Sequence, residues 1–133
     1  MATDLRRIDP PTLPDAASQG YAQVVTCAPG RMVFVSGQVA MDAEGSPAPA
    51  GHGAQAERVA RNLRIALEAA GATPADVVSL RAFVVGLTPE RLAEVMPPFA
   101  ALFGGPLPAV TGVGIEALAA PDLLVEVEAI AVV

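Results

Sequence analysis

The stretch PDLLVEVEAIAVV, Pro121–Val133, decides the fold of this chain. Its residues alternate in character, which is typical of a β-strand because successive side chains point to opposite faces. The apolar side consists of Val125, Val127, Ala129 and Ala131. The other side carries Glu126 and Glu128 within an apolar run, where an unpaired carboxylate is costly. We therefore expect helices over the apolar face and a functional role for the face with the two glutamates.

The sequence upstream predicts four further strands and two helices. The strands are predicted at Tyr21–Cys27, Arg31–Gln38, Val77–Val85 and Ala109–Leu118. One helix is predicted over Ala54–Ala70 from its apolar stripe, and the other begins at Thr88-Pro89, where a threonine N-cap precedes a proline. Pro97 and Pro98 predict a kink or a break in the second helix. Gly37 predicts a bulge or a close backbone approach.

This order of elements favours an α+β domain with one mixed sheet and both helices on the same face. Residues 21–133 form that single domain in our interpretation, and residues 1–20, with three prolines, form an extended arm. The second face of the sheet would mix polar and apolar side chains, among them Arg81, which favours self-association.

Composition excludes several classes of function. The formal net charge is −6, which argues against a nucleic-acid partner. The chain has no lysine, so neither a Schiff base nor a P-loop lysine is available. Cys27 and His52 are the only residues of their kinds and cannot build a zinc site. There is no membrane-length apolar run and no secretory signal, and a single cysteine suits a reducing cytoplasm.

Several segments together resemble the RidA/YjgF family, the reactive-intermediate deaminases. They are Tyr21, FVSGQV at 34–39, AQAERVARNLRIALEAAGA at 54–72, ADVVSLRAFVVGL at 75–87 and VEVEAIAV at 125–132. The resemblance implies a chorismate-mutase-like fold and a homotrimer with clefts between subunits. For active members it also implies hydrolysis of enamines or imines to 2-keto acids with release of ammonia. It implies neither a metal nor an organic cofactor.

The resemblance carries over only position by position. Tyr21, Ser36, Gly37 and Glu126 match site positions of the family, and Glu126 matches the glutamate that positions the hydrolytic water. In active deaminases an arginine follows Pro-Ala and binds the substrate carboxylate, but this chain has Val110 there. Gly112 replaces a frequent cysteine, and Met96 replaces an asparagine. We therefore expect standard 2-imino-acid deaminase activity to be weak, and a pocket suited to a larger or uncharged substrate.

Each candidate residue also has a purely structural interpretation. Glu126 either activates a water molecule or bonds backbone amides at an interface, and Glu128 is expected to pair across that interface. Arg81 either binds an anionic ligand or forms a buried ion pair with Glu128. Tyr21 either offers its hydroxyl to the cleft or packs at the interface.

Cys27 is expected to be a packed thiol, and His52 a solvated loop residue.

The sequence leaves two functions open. One is a trimeric enzyme that processes a small imine, enamine or carbonyl metabolite, and the other is a non-catalytic trimer that binds a small ligand or a protein.

Overall fold

The main sheet has four strands in the part of the chain that the computed structural model describes, residues 4–133. These strands are β3 (Met32–Gln38), β4 (Val77–Val85), β5 (Ala109–Ile115) and β6 (Val125–Val132), in the order β3-β6-β4-β5. Strand β6 is antiparallel to both of its neighbours, whereas β4 and β5 are parallel. The sheet is therefore mixed, as predicted. Two predicted strands are too long: β5 ends at Ile115 rather than Leu118, and β6 begins at Val125 rather than Pro121.

Two helices, α1 (His52–Ala69) and α2 (Pro89–Phe103), pack on one face of this sheet. The predicted apolar side of β6 is buried beneath them, together with Leu80, Ala82 and Val84 of β4. From α1, Val59, Leu63 and Leu67 complete the core. The two-layer α+β architecture expected from the alternation in the last strand is confirmed.

Helix α2 continues through Pro97 and Pro98, so of the predicted kink or break, the break does not occur. An interior proline removes a hydrogen bond to the carbonyl four residues earlier. Those carbonyls belong to Ala93 and Glu94, which are exposed, so water can take the missing bonds. The predicted start is confirmed, since the Thr88 hydroxyl accepts a hydrogen bond from the Arg91 N–H at 3.2 Å.

Two β-bulges shift the register of the sheet. In β3, Val35 pairs with Ala129 and Gln38 pairs with Val127, so Ser36 and Gly37 together face a single residue of β6. The bulge predicted at Gly37 is thus confirmed. A second register shift lies between Val77 and Ser79 of β4. It buries Val77 and leaves Val78 half-exposed, the reverse of the predicted alternation at that end of the strand.

The N-terminal arm is more ordered than an extended tail. Within it, β1 (Arg6–Ile8) pairs antiparallel with β2 (Val24–Thr26), which is shorter than the predicted strand Tyr21–Cys27. A 3₁₀ turn at Ala17–Gln19 follows, and the chain then reaches the segment before β5, where the Leu107 N–H donates to the Gly20 carbonyl at 2.7 Å. Residues 1–3 of the predicted arm lie outside the described residues.

Candidate functional site

The face of the main sheet opposite the helices carries large apolar side chains that are open to solvent. Phe34 of β3 is 70% exposed and its neighbour Met32 is 55% exposed. A groove of about 330 Å³ crosses this face. Its lining includes Phe34, Ser36, Ser79, Arg81, Glu128 and Ile130. We call this surface the open face of the sheet.

Glu126 lies on the open face, directly against the bulge of β3. A β-carbon built on Gly37 would lie 2.8 Å from Cδ of Glu126 and would overlap its Oε1. Only glycine therefore leaves room for the carboxylate at this position. The Glu126 carboxylate forms no hydrogen bond or ion pair with any of residues 4–133. It is half-buried, and its oxygens are available to a ligand or to a second chain.

Arg81 and Glu128 face each other across β4 and β6. Arg81 Nη1 donates to Glu128 Oε1 at 3.3 Å, and the two side chains are 62% and 40% exposed. The ion pair expected for these residues therefore forms within one chain rather than across an interface, and in that chain it is exposed rather than buried. Such an exposed pair contributes about 0–1 kcal/mol. Arg81 keeps further N–H donors that could reach a ligand in the groove.

Val110, Met96 and Tyr21 lie at the edge of the core. Val110 pairs in register with the buried Leu80, so its side chain points toward the helices. All three side chains are half-buried and pack against the core. A β-carbon at Gly112 would meet nothing within 4 Å, so the space beside this position is open.

The main sheet separates the predicted site residues into two groups. Ser36, Arg81 and Glu126 project from the open face, whereas Val110 and Met96 lie on the helix side. Two strand spacings and the thickness of the sheet separate Glu126 on β6 from Val110 on β5. One chain therefore does not bring all the predicted residues together.

Two amide side chains of α1, which were not predicted as site residues, hold the strand ends beside Glu126 and Gly37. Gln55 is 1% exposed, and its Nε2 donates to the carbonyls of Pro49 at 3.0 Å and Asp122 at 2.7 Å. Its Oε1 accepts the Leu124 N–H at 2.8 Å. Asn62 Nδ2 donates to the carbonyls of Val39 and Met41 at 2.8 and 2.7 Å.

The signal for these amides was present in the sequence. Gln55 precedes Val59 by four residues and Asn62 follows it by three, so both fall on the apolar stripe of the helix. A polar residue on such a stripe is expected to find a buried partner.

His52 was predicted to be a solvated loop residue, and that prediction is wrong. It begins α1, is 8% exposed, and its Nε2 lies 2.9 Å from the Val85 carbonyl.

Cys27 is a free, half-buried thiol. Among residues 4–133 there is no group of three or more His, Cys, Asp or Glu side chains able to hold a metal ion. No helix in the same range is long and apolar enough to cross a membrane.

The loop between β3 and α1 contains a perturbed carboxyl group. The Ser46 N–H donates to Asp42 Oδ1 at 2.9 Å, and this bond, aided by the Ser46 hydroxyl, lowers the pKa of Asp42 below its usual value of 3.8. Arg58, with Nη1 3.9 Å from Asp42 Oδ2, acts in the same direction. This loop connects the bulged strand to the helix that carries Gln55 and Asn62.

Comparisons with known proteins agree with this architecture. The family model described as Endoribonuclease L-PSP matches residues 12–133. A RutC family protein from Pyrococcus abyssi is 33% identical over 112 residues, which cover 84% of each chain. A Rid-family protein of unknown function from Yersinia pestis, YyfB, is 39% identical with a TM-score of 0.88, over 97% of this chain and 98% of that one.

The YjgF protein of E. coli is 30% identical with a TM-score of 0.67, over 96% of this chain and 98% of that one. The family match at residues 12–133 includes the bulged strand, both helices and the final strand. The chain therefore belongs to the Endoribonuclease L-PSP family, the family of the RidA and YjgF proteins.

Proposed function

We propose that this protein processes a small imine, enamine or carbonyl compound in a cleft between the subunits of a homotrimer. The observation that carries the proposal is the separation of the site residues by the main sheet. Glu126 lies on the open face, while Val110 and Gly112 lie on β5 with the opposite orientation. These positions can form one site only if one chain supplies the first group and a neighbouring chain supplies the second.

The open face supports the assembly on which this site depends. Phe34 and Met32 leave a large apolar surface in water, which is unfavourable for an isolated small domain. Cyclic association of identical chains would cover the face in every subunit. The choice of a trimer follows from the likeness to the RidA and YjgF proteins.

The proposed reaction is the addition of water to a carbon–nitrogen double bond. The Glu126 carboxylate accepts a proton from water while the water oxygen bonds to the imine carbon, and the nitrogen takes up a proton from solvent. The resulting carbinolamine breaks its carbon–nitrogen bond as Glu126 returns its proton to the nitrogen and the hydroxyl group releases its proton to solvent. Ammonia leaves and a carbonyl compound remains. Tyr21 and Ser36 offer hydroxyl groups, and Gly37 offers backbone, to orient the substrate. No metal or organic cofactor takes part.

Substrate choice follows from the residue at position 110. An arginine there would bind a carboxylate with two hydrogen bonds, whereas Val110 provides only apolar contact. A simple 2-imino acid would lose that interaction, at a cost of about 10²-fold or more in catalytic efficiency. The open space beside Gly112 favours a larger substrate, or an uncharged one.

The test is a coupled assay in which a dehydratase or an amino-acid oxidase generates the imine and formation of the carbonyl product is followed. Purified protein should accelerate product formation, and Glu126→Gln should abolish the acceleration. Glu128→Gln is the matched control, because it removes a carboxylate from the same strand and face but one that is paired with Arg81. Equal loss of activity in both variants, or none in either, would sink the catalytic role of Glu126.

A second candidate function is a non-catalytic trimer that binds a small ligand or a protein. The packing of Val110 against the core favours it, because this position then serves stability rather than substrate recognition. In this case charged and neutral imines would be hydrolysed no faster with the protein than without it. Glu126→Gln would then alter ligand binding, measured by calorimetry, and nothing else.

RNA cleavage is named in the description of the matching family, but the charge of this chain argues against it. The net charge is −6, and phosphate backbones are bound mainly by clusters of positive side chains. Tight, salt-sensitive retention of RNA in a filter-binding assay would overturn this view.

We also propose that the protein is cytoplasmic, where a single unpaired cysteine stays reduced.

A further inference from the structure

We propose that Arg7 binds a carboxylate of the ligand, and that the substrate is therefore an acid whose carboxylate lies far from the reacting carbon. This inference rests on the proposed function for the location of the site. Arg7 belongs to β1, in the arm, and its guanidinium reaches the segment that leads into β5. Nε donates to the Leu107 carbonyl at 3.3 Å and Nη2 donates to the Pro106 carbonyl at 3.1 Å.

These two hydrogen bonds orient the guanidinium without neutralising it. A carbonyl oxygen carries only a partial charge, so the full positive charge of Arg7 remains. Within residues 4–133 no carboxylate lies within 4.0 Å of this side chain. A guanidinium has five N–H donors, of which only two are used here. The remaining donors can bind a carboxylate with charge-assisted hydrogen bonds.

The other arginines with known contacts have local tasks. Arg31 donates to the Ala70 carbonyl at the end of α1, and Arg91 donates to the Gly86 carbonyl in the turn before α2. Arg58 and Arg81 are paired with carboxylates. Arg7 differs because it joins the N-terminal arm to Pro106 and Leu107. This segment leads into β5, which carries the candidate site residues Val110 and Gly112.

The neighbours of Arg7 belong to the candidate site. The Gly20 carbonyl accepts the Leu107 N–H, and Ala22 forms a bridge with Ala109, so Tyr21 runs beside this segment. Val110 lies three positions after Leu107, and an extended chain advances roughly 3.3 Å per residue. The guanidinium is therefore anchored about 10 Å from position 110, which favours an acid with several carbons between its carboxylate and the reacting centre.

A pair of isosteric probes tests the proposal. Hexanoate and hexanamide have similar shapes and differ in charge, and their binding can be followed by NMR through the Arg7 Nε–H and the backbone amides of Tyr21 and Leu107. We expect hexanoate to shift these signals at concentrations where hexanamide does not. Arg7→Ala should weaken hexanoate binding by about tenfold or more, since a bidentate charge-assisted contact is lost.

Arg6→Ala is the matched control. It removes the same charge from the adjacent residue, whose side chain is exposed and lies 3.7 Å from Asp4. We expect it to change hexanoate binding by less than about twofold, because the charge of Arg6 is already paired with Asp4. Arg7→Gln guards against loss of folding, because glutamine can still donate to the Leu107 carbonyl but carries no charge. It should bind hexanoate as weakly as Arg7→Ala does.

Equal binding of the two probes to the wild-type protein, no binding of either, or equal effects of the Arg6 and Arg7 variants would overturn the proposal. Its failure is distinguishable from failure of the proposed function. Arg7-dependent binding of hexanoate without any imine hydrolysis would support the carboxylate site and refute the proposed function. Imine hydrolysis that does not depend on Arg7 would support the proposed function and refute the carboxylate site.

Discussion

Replacing Gln55 by leucine is expected to lower the free energy of unfolding by about 3 kcal/mol, since it removes three hydrogen bonds of roughly 1 kcal/mol each. Gln55 is 1% exposed, and all three partners are main-chain groups of other segments. Leucine has nearly the same volume and leaves no cavity. The loss would come from the Leu124 N–H and the two carbonyls, which would have to find water or remain unpaired.

The assay is urea denaturation, with the wild type and the variant compared at equal chain concentration because association adds to stability. The midpoint should fall while the slope stays constant, which identifies a change in stability rather than in the denatured state. Hydrogen exchange gives a local readout, since the Leu124 amide should exchange faster in the variant.

Gln19→Leu is the matched control for this experiment. It makes the same substitution at an exposed position of the 3₁₀ turn and should change the stability by less than about 0.5 kcal/mol. A change of that size or smaller in Gln55→Leu would refute the reasoning that the amide is a principal connection between α1 and the start of β6.

Other substitutions test other parts of the molecule. Gly37→Ala should change stability by less than about 1 kcal/mol, because the end of the flexible Glu126 side chain can move away, yet should abolish any activity that depends on that carboxylate. Phe34→Asp should convert the proposed trimer into monomers in size-exclusion chromatography with light scattering, because a charge would replace an exposed apolar ring on the open face. The lowered pKa of Asp42 should keep its bond to Ser46 intact above pH 3.8 and release it as the pH falls through the folded-state value, seen as a shift of the Ser46 amide in an NMR titration.

The parts of the fold that could be predicted depend on local periodicity. The alternation in the final strand determines which of its side chains are buried, and the apolar stripe of α1 determines which side of the helix faces the sheet. The glycine in β3 indicated a bulge because few other causes place glycine near the end of an apolar strand.

Other features depend on contacts between distant segments, which periodicity does not contain. His52 follows a loop rich in glycine and proline, but its partner is Val85, 33 residues away. The reversal at Val77 and Val78 comes from a register shift against β6, and nothing within β4 signals it. The position of Arg7 beside Leu107 likewise joins residues 100 positions apart.

The candidate site was predicted as a set of residues, and its division between two faces emerged only from the strand register. Parity along each strand correctly placed Arg81 and Glu126 on the same face. It did not show where Val110 would point, because that depends on how β5 pairs with β4. Gly37 and Glu126 were each predicted to be site residues, but the contact between them was not predicted.

The division of the site by the sheet has a genetic consequence. In the proposed trimer each cleft takes one wall from one chain and the other wall from its neighbour, so two inactive variants can restore each other. Glu126→Gln removes the catalytic carboxylate from the first wall. Gly112→Phe fills the cleft from the second wall, and its ring has open space within its own chain. Co-assembly of equal amounts would give about a quarter of the clefts two intact walls, since each wall is intact with probability one half in a closed ring. Two alleles that are each null would then support function in the same cell.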